Sequence, residues 1–152
     1  MGISLKGMIL GIVLATMAGI AFAAFDTPED AIRYRTAVMT VIGEHFGRLA
    51  AVVTGQTPFN ENAVKRDTVV LRTMAELPWD AFMVPGSDKG KTTLKAKAMK
   101  EKDKFRTMAQ EFEQASKKLA ETAGSGDLKA ISEQFGDMAN NCKSCHTTFR
   151  NL

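Results

Sequence analysis

The chain has 152 residues, a formal net charge of +3, and hydrophobic residues making up 45% of its length. That is enough for one domain, too apolar for a disordered chain and too mildly charged to argue for nucleic acid, of which no binding motif is present. Its two cysteines, Cys142 and Cys145, sit too close together to staple distant parts of a fold, so a disulfide scaffold is excluded.

In chain order, the first 23 residues hold no acid and one base, Lys6. An apolar run from Gly7 to about Ile20 follows, then Ala21-Phe22-Ala23. A positive start, a short apolar stretch and small residues at the cut describe a secretory signal cleaved after Ala23. A membrane anchor would need about 20 apolar residues. Residues 1–23 are therefore expected to be an address and 24–152 the folded domain, with no membrane attachment after cleavage.

The first helix is expected to open at Thr27-Pro28-Glu29-Asp30. Thr27 caps, Pro28 suits the first helical position, and the two acids favour the positive end of the helix dipole. Ala31, Val38, Ile42, Phe46, Leu49 and Val53 recur at helical spacing until Gly55 and Pro58. A second helix is predicted over Glu61–Leu77, with Val64, Val70, Leu71, Met74 and Leu77 facing inward and Pro78 as the stop. Residues 78–91 read as an irregular connection because of their Pro and Gly content, with Trp79 and Phe82 packing inward. A third helix is predicted from Asp103 to Ala123 on the stripe Phe105, Met108, Phe112, Ala115, Leu119 and Ala123. After Gly124-Ser125-Gly126, a fourth runs from Asp127 to about Arg150 through Leu128, Ile131, Phe135, Met138, Cys142, Cys145 and Phe149. No strand-like alternation of useful length appears. The expected fold is all-α, an antiparallel up-down four-helix bundle. Its faces are rich in Ala, Met and Val, which suits either a bundle enclosing a flat apolar cofactor or a plain small-residue core.

Chemistry concentrates in Cys142-Lys143-Ser144-Cys145-His146, the C-x-x-C-H pattern of covalent haem attachment. Residues i and i+3 of a helix hold their Cβ atoms about 5–6 Å apart on one side. Two thiols so placed suit the two vinyl groups on one edge of a porphyrin, and His146 then brings an imidazole beneath the iron. Three other readings stand beside it. A redox C-x-x-C normally opens a helix, where the dipole lowers the thiol pKa, and this one closes a helix. A zinc site could recruit Cys142, Cys145, His146 and the other histidine, His45. A disulfide across the motif is the plainest alternative.

The whole mature chain resembles the class II c-type cytochromes of the cytochrome c′ family. The resemblance is carried by Pro28-Glu29-Asp30-Ala31-Ile32-Arg33-Tyr34-Arg35, by Trp79-Asp80-Ala81-Phe82 with Pro85-Gly86-Ser87-Asp88-Lys89-Gly90, and by the C-terminal haem motif with Phe149-Arg150. It implies a bundle enclosing one haem c bound through Cys142 and Cys145, in the periplasm and often as a homodimer. By residue, it implies that Arg35 meets the haem propionates and that Thr36 stands where glutamine is usual. Arg150 lies near the proximal histidine, Met39 faces the open side of the iron, and Trp79 and Phe82 line the pocket. Residues 91–104 depart from the family pattern, holding Lys91, Lys95, Lys97, Lys100, Lys102 and Lys104.

Met39 follows Arg35 by one helical turn and shares its side of the helix. A thioether on the iron would give a low-spin carrier of raised potential. A methionine serving only as a lid would leave a five-coordinate iron open to nitric oxide or carbon monoxide, and the Trp79 loop favours this second form. His45, about 240° further round the helix than Met39, is expected at the surface. The lysine run is read as a solvated face, or as a dock for an acidic redox partner. The expected function is electron transfer by a periplasmic haem c protein, the alternative being gas capture or sensing. No catalytic triad, paired-acid site or phosphate loop points to an enzyme.

Overall fold

The computed structural model describes residues 25–151. The segment read as an export signal and its cut after Ala23 lie outside these residues. The chain forms α1 (Pro28–Val53), α2 (Glu61–Ala75), α3 (Trp79–Phe82), α4 (Lys97–Lys100), α5 (Lys102–Ala123) and α6 (Leu128–Phe149). The four long helices form the expected up-down bundle, and α3 and α4 are single turns.

Local chemistry sets the ends. Thr27 accepts a hydrogen bond from the Asp30 amide, with Pro28 starting the first turn. Asn60 caps α2 through the Ala63 amide, and Asp127 caps α6 through Lys129 and Ala130. Such caps satisfy amides that have no partner inside the helix.

Two expectations need correction. The second helix stops at Ala75, not Leu77, because a proline disfavours helical backbone at the residue before it. Leu77 is consequently 43% exposed, and Thr68 and Ala75 help fill the inner face instead. The connection after Pro78 is not wholly irregular. Proline blocks a helix that reaches it but suits the start of the next one, where no amide donor is needed. Pro78 therefore closes α2 and opens the turn of α3.

The helices pack in the ring order α1, α2, α5, α6, and the seam between α6 and α1 is the thinnest. Val38, Ile42, Leu49, Val64, Leu71, Phe112, Leu119, Ile131, Phe135 and Met138 belong to the main core. A second cluster of Leu94, Ala98, Phe105 and Phe149, with Trp79 and Phe82 against it, lies at the end where α1 begins and α6 finishes. The lysine-rich segment joins this end. Leu94 pairs with Arg150 in an antiparallel bridge, flanked by Lys95 N–H to the Phe149 carbonyl (2.8 Å) and Asn151 N–H to the Thr93 carbonyl (2.8 Å).

Candidate cofactor site

A cavity of about 840 Å³ opens at this end between α1, α5, α6 and the connecting segments. Its volume falls in the range of small-molecule and cofactor sites, roughly 300–1,000 Å³. Arg35, Thr36 and Met39 reach it from α1, Trp79 and Phe82 from α3, and Cys142, Cys145, His146 and Arg150 from α6 and its end. All nine residues proposed from the sequence for the cofactor site thus line one cavity. The helices explain why: Arg35 and Met39 are one turn apart on α1, as are Cys142 and Cys145 on α6.

Much of the rest of the lining is apolar or aromatic, with Thr40, Lys91, Thr92, Thr93 and Asn141 as its polar members. Trp79 meets Phe105 and Phe112 edge-on at 6.0 Å between centroids, and Phe105 packs on Phe82 at 5.2 Å and Phe149 at 5.3 Å. Phe105, Met108, Phe112 and Phe149 were legible as core stripes but not as cavity wall. Gly90 to Leu94 also line the cavity, and nothing in their sequence marks them.

Arg35 is only 3% exposed. Its Nη1 donates to the Ala81 carbonyl (3.0 Å) and to Ser87 Oγ (2.9 Å). Its Nη2 donates to the Ser87 carbonyl and to Thr92 Oγ1 (2.8 Å), and the guanidinium lies 4.7 Å from the Phe82 ring centroid. Burial lowers its pKa and nearby Asp88 opposes that change, but an arginine stays charged. The side chain thus ties α1 to the 81–92 connection, a role that the sequence did not show. The Leu94 amide donates in turn to Thr92 Oγ1 (3.1 Å), so one line of contacts runs from Arg35 to the bridge with Arg150.

On the facing wall both thiols are free, and neither is in a disulfide. Burial, with Cys145 adding to it, pushes the Cys142 thiol up to about 11, and burial raises Cys145 as well. Thiols held protonated at neutral pH make poor redox thiolates. His146 stands at the rim, partly open to solvent. Burial of part of its ring lowers its pKa, and the Arg150 charge adds to this. A neutral imidazole is the form that binds metal. His45 does not reach this wall. Its Nδ1 lies 2.7 Å from Asp67 Oδ1 on α2, and it is half-buried instead of free at the surface. The four-ligand zinc arrangement is therefore not assembled.

The donor set, the apolar walls and the cavity size fit a haem. Two protonated thiols and a neutral imidazole lie on one turn of helix, across the cavity from Met39 and beside aromatic side chains.

Bundle and cavity together define a helical c-type haem protein. The Cytochrome C′ family model matches residues 30–150. The cytochrome c′ of Alcaligenes xylosoxydans xylosoxydans is 36% identical over 126 residues, covering 83% of this chain and 97% of the relative. That of Rubrivivax gelatinosus is 35% identical, covering 83% and 98%. Among solved structures, a nitric oxide complex of a cytochrome c prime variant from Alcaligenes xylosoxidans superposes with a TM-score of 0.78 at 36% identity, covering 84% of this chain and 98% of that one. Cytochrome c prime from Shewanella frigidimarina gives 0.82 at 30% identity, covering 84% and 99%. The chain belongs to the cytochrome c′ family, and its cofactor is a covalently attached haem c.

Proposed function

We propose that this is an exported, non-enzymatic electron carrier working in the periplasm, with residues 1–23 removed as its signal and 24–152 retained as the haem domain. Cys142 and Cys145 would hold the haem through thioethers and His146 would ligate its iron. The observation that carries this reading is the shared cavity, with the motif on the α6 wall and Met39 on the opposite α1 wall. The bound haem supplies a metal that takes up and releases one electron at a time. The chain keeps His146 neutral and surrounds the site with apolar side chains that limit water. Arg35 ties down the 81–92 connection beside the cavity and would meet a propionate, with Thr36 and Arg150 on the same lining.

The second reading, capture or sensing of nitric oxide or carbon monoxide, is favoured by Met39. It packs partly against the main core, as a lid would. The nitric oxide complex of the Alcaligenes relative supports this too. One experiment separates the readings. In the five-coordinate form, ferric and ferrous spectra lack a sulfur-to-iron charge-transfer band, and the reduced protein takes up carbon monoxide completely at low pressure. Met39→Ala then speeds uptake and leaves the ferric spectrum unchanged. A charge-transfer band that disappears in Met39→Ala would establish methionine ligation and the carrier role alone.

Homodimer formation belongs to the same proposal. The outer face of α1 carries Gly43 and Gly47, where an added Cβ would meet nothing within 4 Å, beside a groove of about 520 Å³ against α2. Sedimentation of Gly47→Arg, expected to run as a monomer, tests it.

A further inference from the structure

The cavity accounts for the motif and the aromatic residues but not for the lysines. Residues 89–106 carry eight basic side chains and two acidic ones, Glu101 and Asp103, in a chain whose formal charge is only +3. The rest of the chain is therefore net negative, and the positive charge is concentrated in one strap. Within that strap only Lys97 has a carboxylate at ion-pair distance among the described residues, Glu101 at 3.7 Å. Apart from Lys95, whose ammonium is bound to a backbone carbonyl, the remaining basic side chains are exposed.

The strap's position is fixed. Lys95 Nζ donates to the Thr147 carbonyl at 3.0 Å, one residue past His146. Leu94 bridges to Arg150, and Lys91 and Arg150 stand on the cavity rim. The positive field is thus centred on the side of the cavity that holds the cofactor's histidine. Charge arranged around such an opening steers an oppositely charged partner and raises its association rate by about 10- to 1,000-fold, an effect that salt screens.

We propose that the strap over residues 89–106, pinned to the last turn of α6, is the docking surface for an acidic electron-transfer protein. This rests on the electron-carrier reading. The partner's carboxylates meet the exposed lysines, and the electron crosses at the rim by Lys91 and Arg150.

The test uses the holoprotein with two triple variants of equal charge change. Lys89→Glu/Lys100→Glu/Lys104→Glu alters the strap, and Lys117→Glu/Lys118→Glu/Lys129→Glu alters the opposite end. Two readouts are taken. Binding of poly-L-glutamate, followed by calorimetry, should weaken about tenfold or more in the strap variant and little in the other. Oxidation of the reduced protein by hexacyanoferrate(III), one electron passing to give hexacyanoferrate(II), should slow by about fivefold or more in the strap variant alone. The cationic tris(phenanthroline)cobalt(III) should not be slowed. Equal losses in both variants would overturn the proposal in favour of net charge. Binding to phosphatidylglycerol vesicles without binding to poly-L-glutamate would overturn it in favour of a lipid surface. Unselective poly-L-glutamate binding with normal oxidation by the cobalt reagent overturns docking and leaves the carrier reading standing. A reduced protein that neither reagent oxidises overturns both.

Discussion

Arg35 shows how one side chain shapes the whole cavity. Its buried guanidinium has no carboxylate at ion-pair distance among the described residues and is stabilised by four hydrogen bonds to the 81–92 connection. Arg35→Gln leaves several of these acceptors unpaired in a buried setting, which should cost about 3 kcal/mol. Thermal unfolding measures this, and Arg35→Lys should recover only part because one ammonium cannot reproduce the fork. Glu113 offers a pH-dependent counterpart. Burial raises its carboxyl pKa, the Trp79 N–H acts against that rise, and Glu76 adds to it. The indole N–H does so without reaching hydrogen-bond geometry, and it is the buried side-chain donor left without a partner among the described residues. A carboxyl whose folded pKa is raised binds more protons folded than unfolded, so its contribution to stability falls as pH rises past the usual glutamate range. Glu113→Gln should therefore raise the melting temperature at neutral pH, and the gain should vanish on acidification below that range.

At the scale of elements, the cavity depends on its connections as much as on its helices. Val84-Pro85-Gly86-Ser87 has the signature of a type II turn: proline second, glycine third at φ +83°, and Ser87 N–H donating to the Val84 carbonyl at 3.0 Å. That turn delivers Ser87 to Arg35. Gly86→Ala forces a side chain into left-handed backbone and should cost about 1 kcal/mol or more. Denaturant titration checks this, with Gly55→Ala, in the connection between α1 and α2, as a second positive-φ glycine that does not present a residue to Arg35. The long helices were legible because caps and apolar stripes are local signals: Thr27, Asp127 and the Phe105–Ala123 stripe all fall where expected. The motif residues were legible because their chemistry requires fixed spacing. The α3 turn is hidden in the sequence because the same proline that ends one helix can start the next. The course of 91–104 is not legible in the sequence because its bridge to Arg150 joins residues distant along the chain, and no local pattern encodes such a pairing. The loop-tying role of Arg35 was hidden for the same reason, since its partners lie 46 to 57 residues away.

At the scale of the molecule, the motif joins the fold to its cofactor. Cys145→Ala leaves one thioether, so the yield of holoprotein and its haem retention on acid extraction should both fall; an unchanged yield would contradict attachment through both cysteines. The seam between α6 and α1 is the bundle's thinnest contact, and the cavity opens beside it. A cofactor seated in the cavity would therefore help to hold the two walls together. A group that merely binds there would stabilise the bundle according to its free concentration, and its effect would fade as the solution thinned. A group bonded to the chain removes that dependence. Its local concentration is set by the geometry of α6 and is the same in one molecule as in many. The seam then stays closed at any dilution.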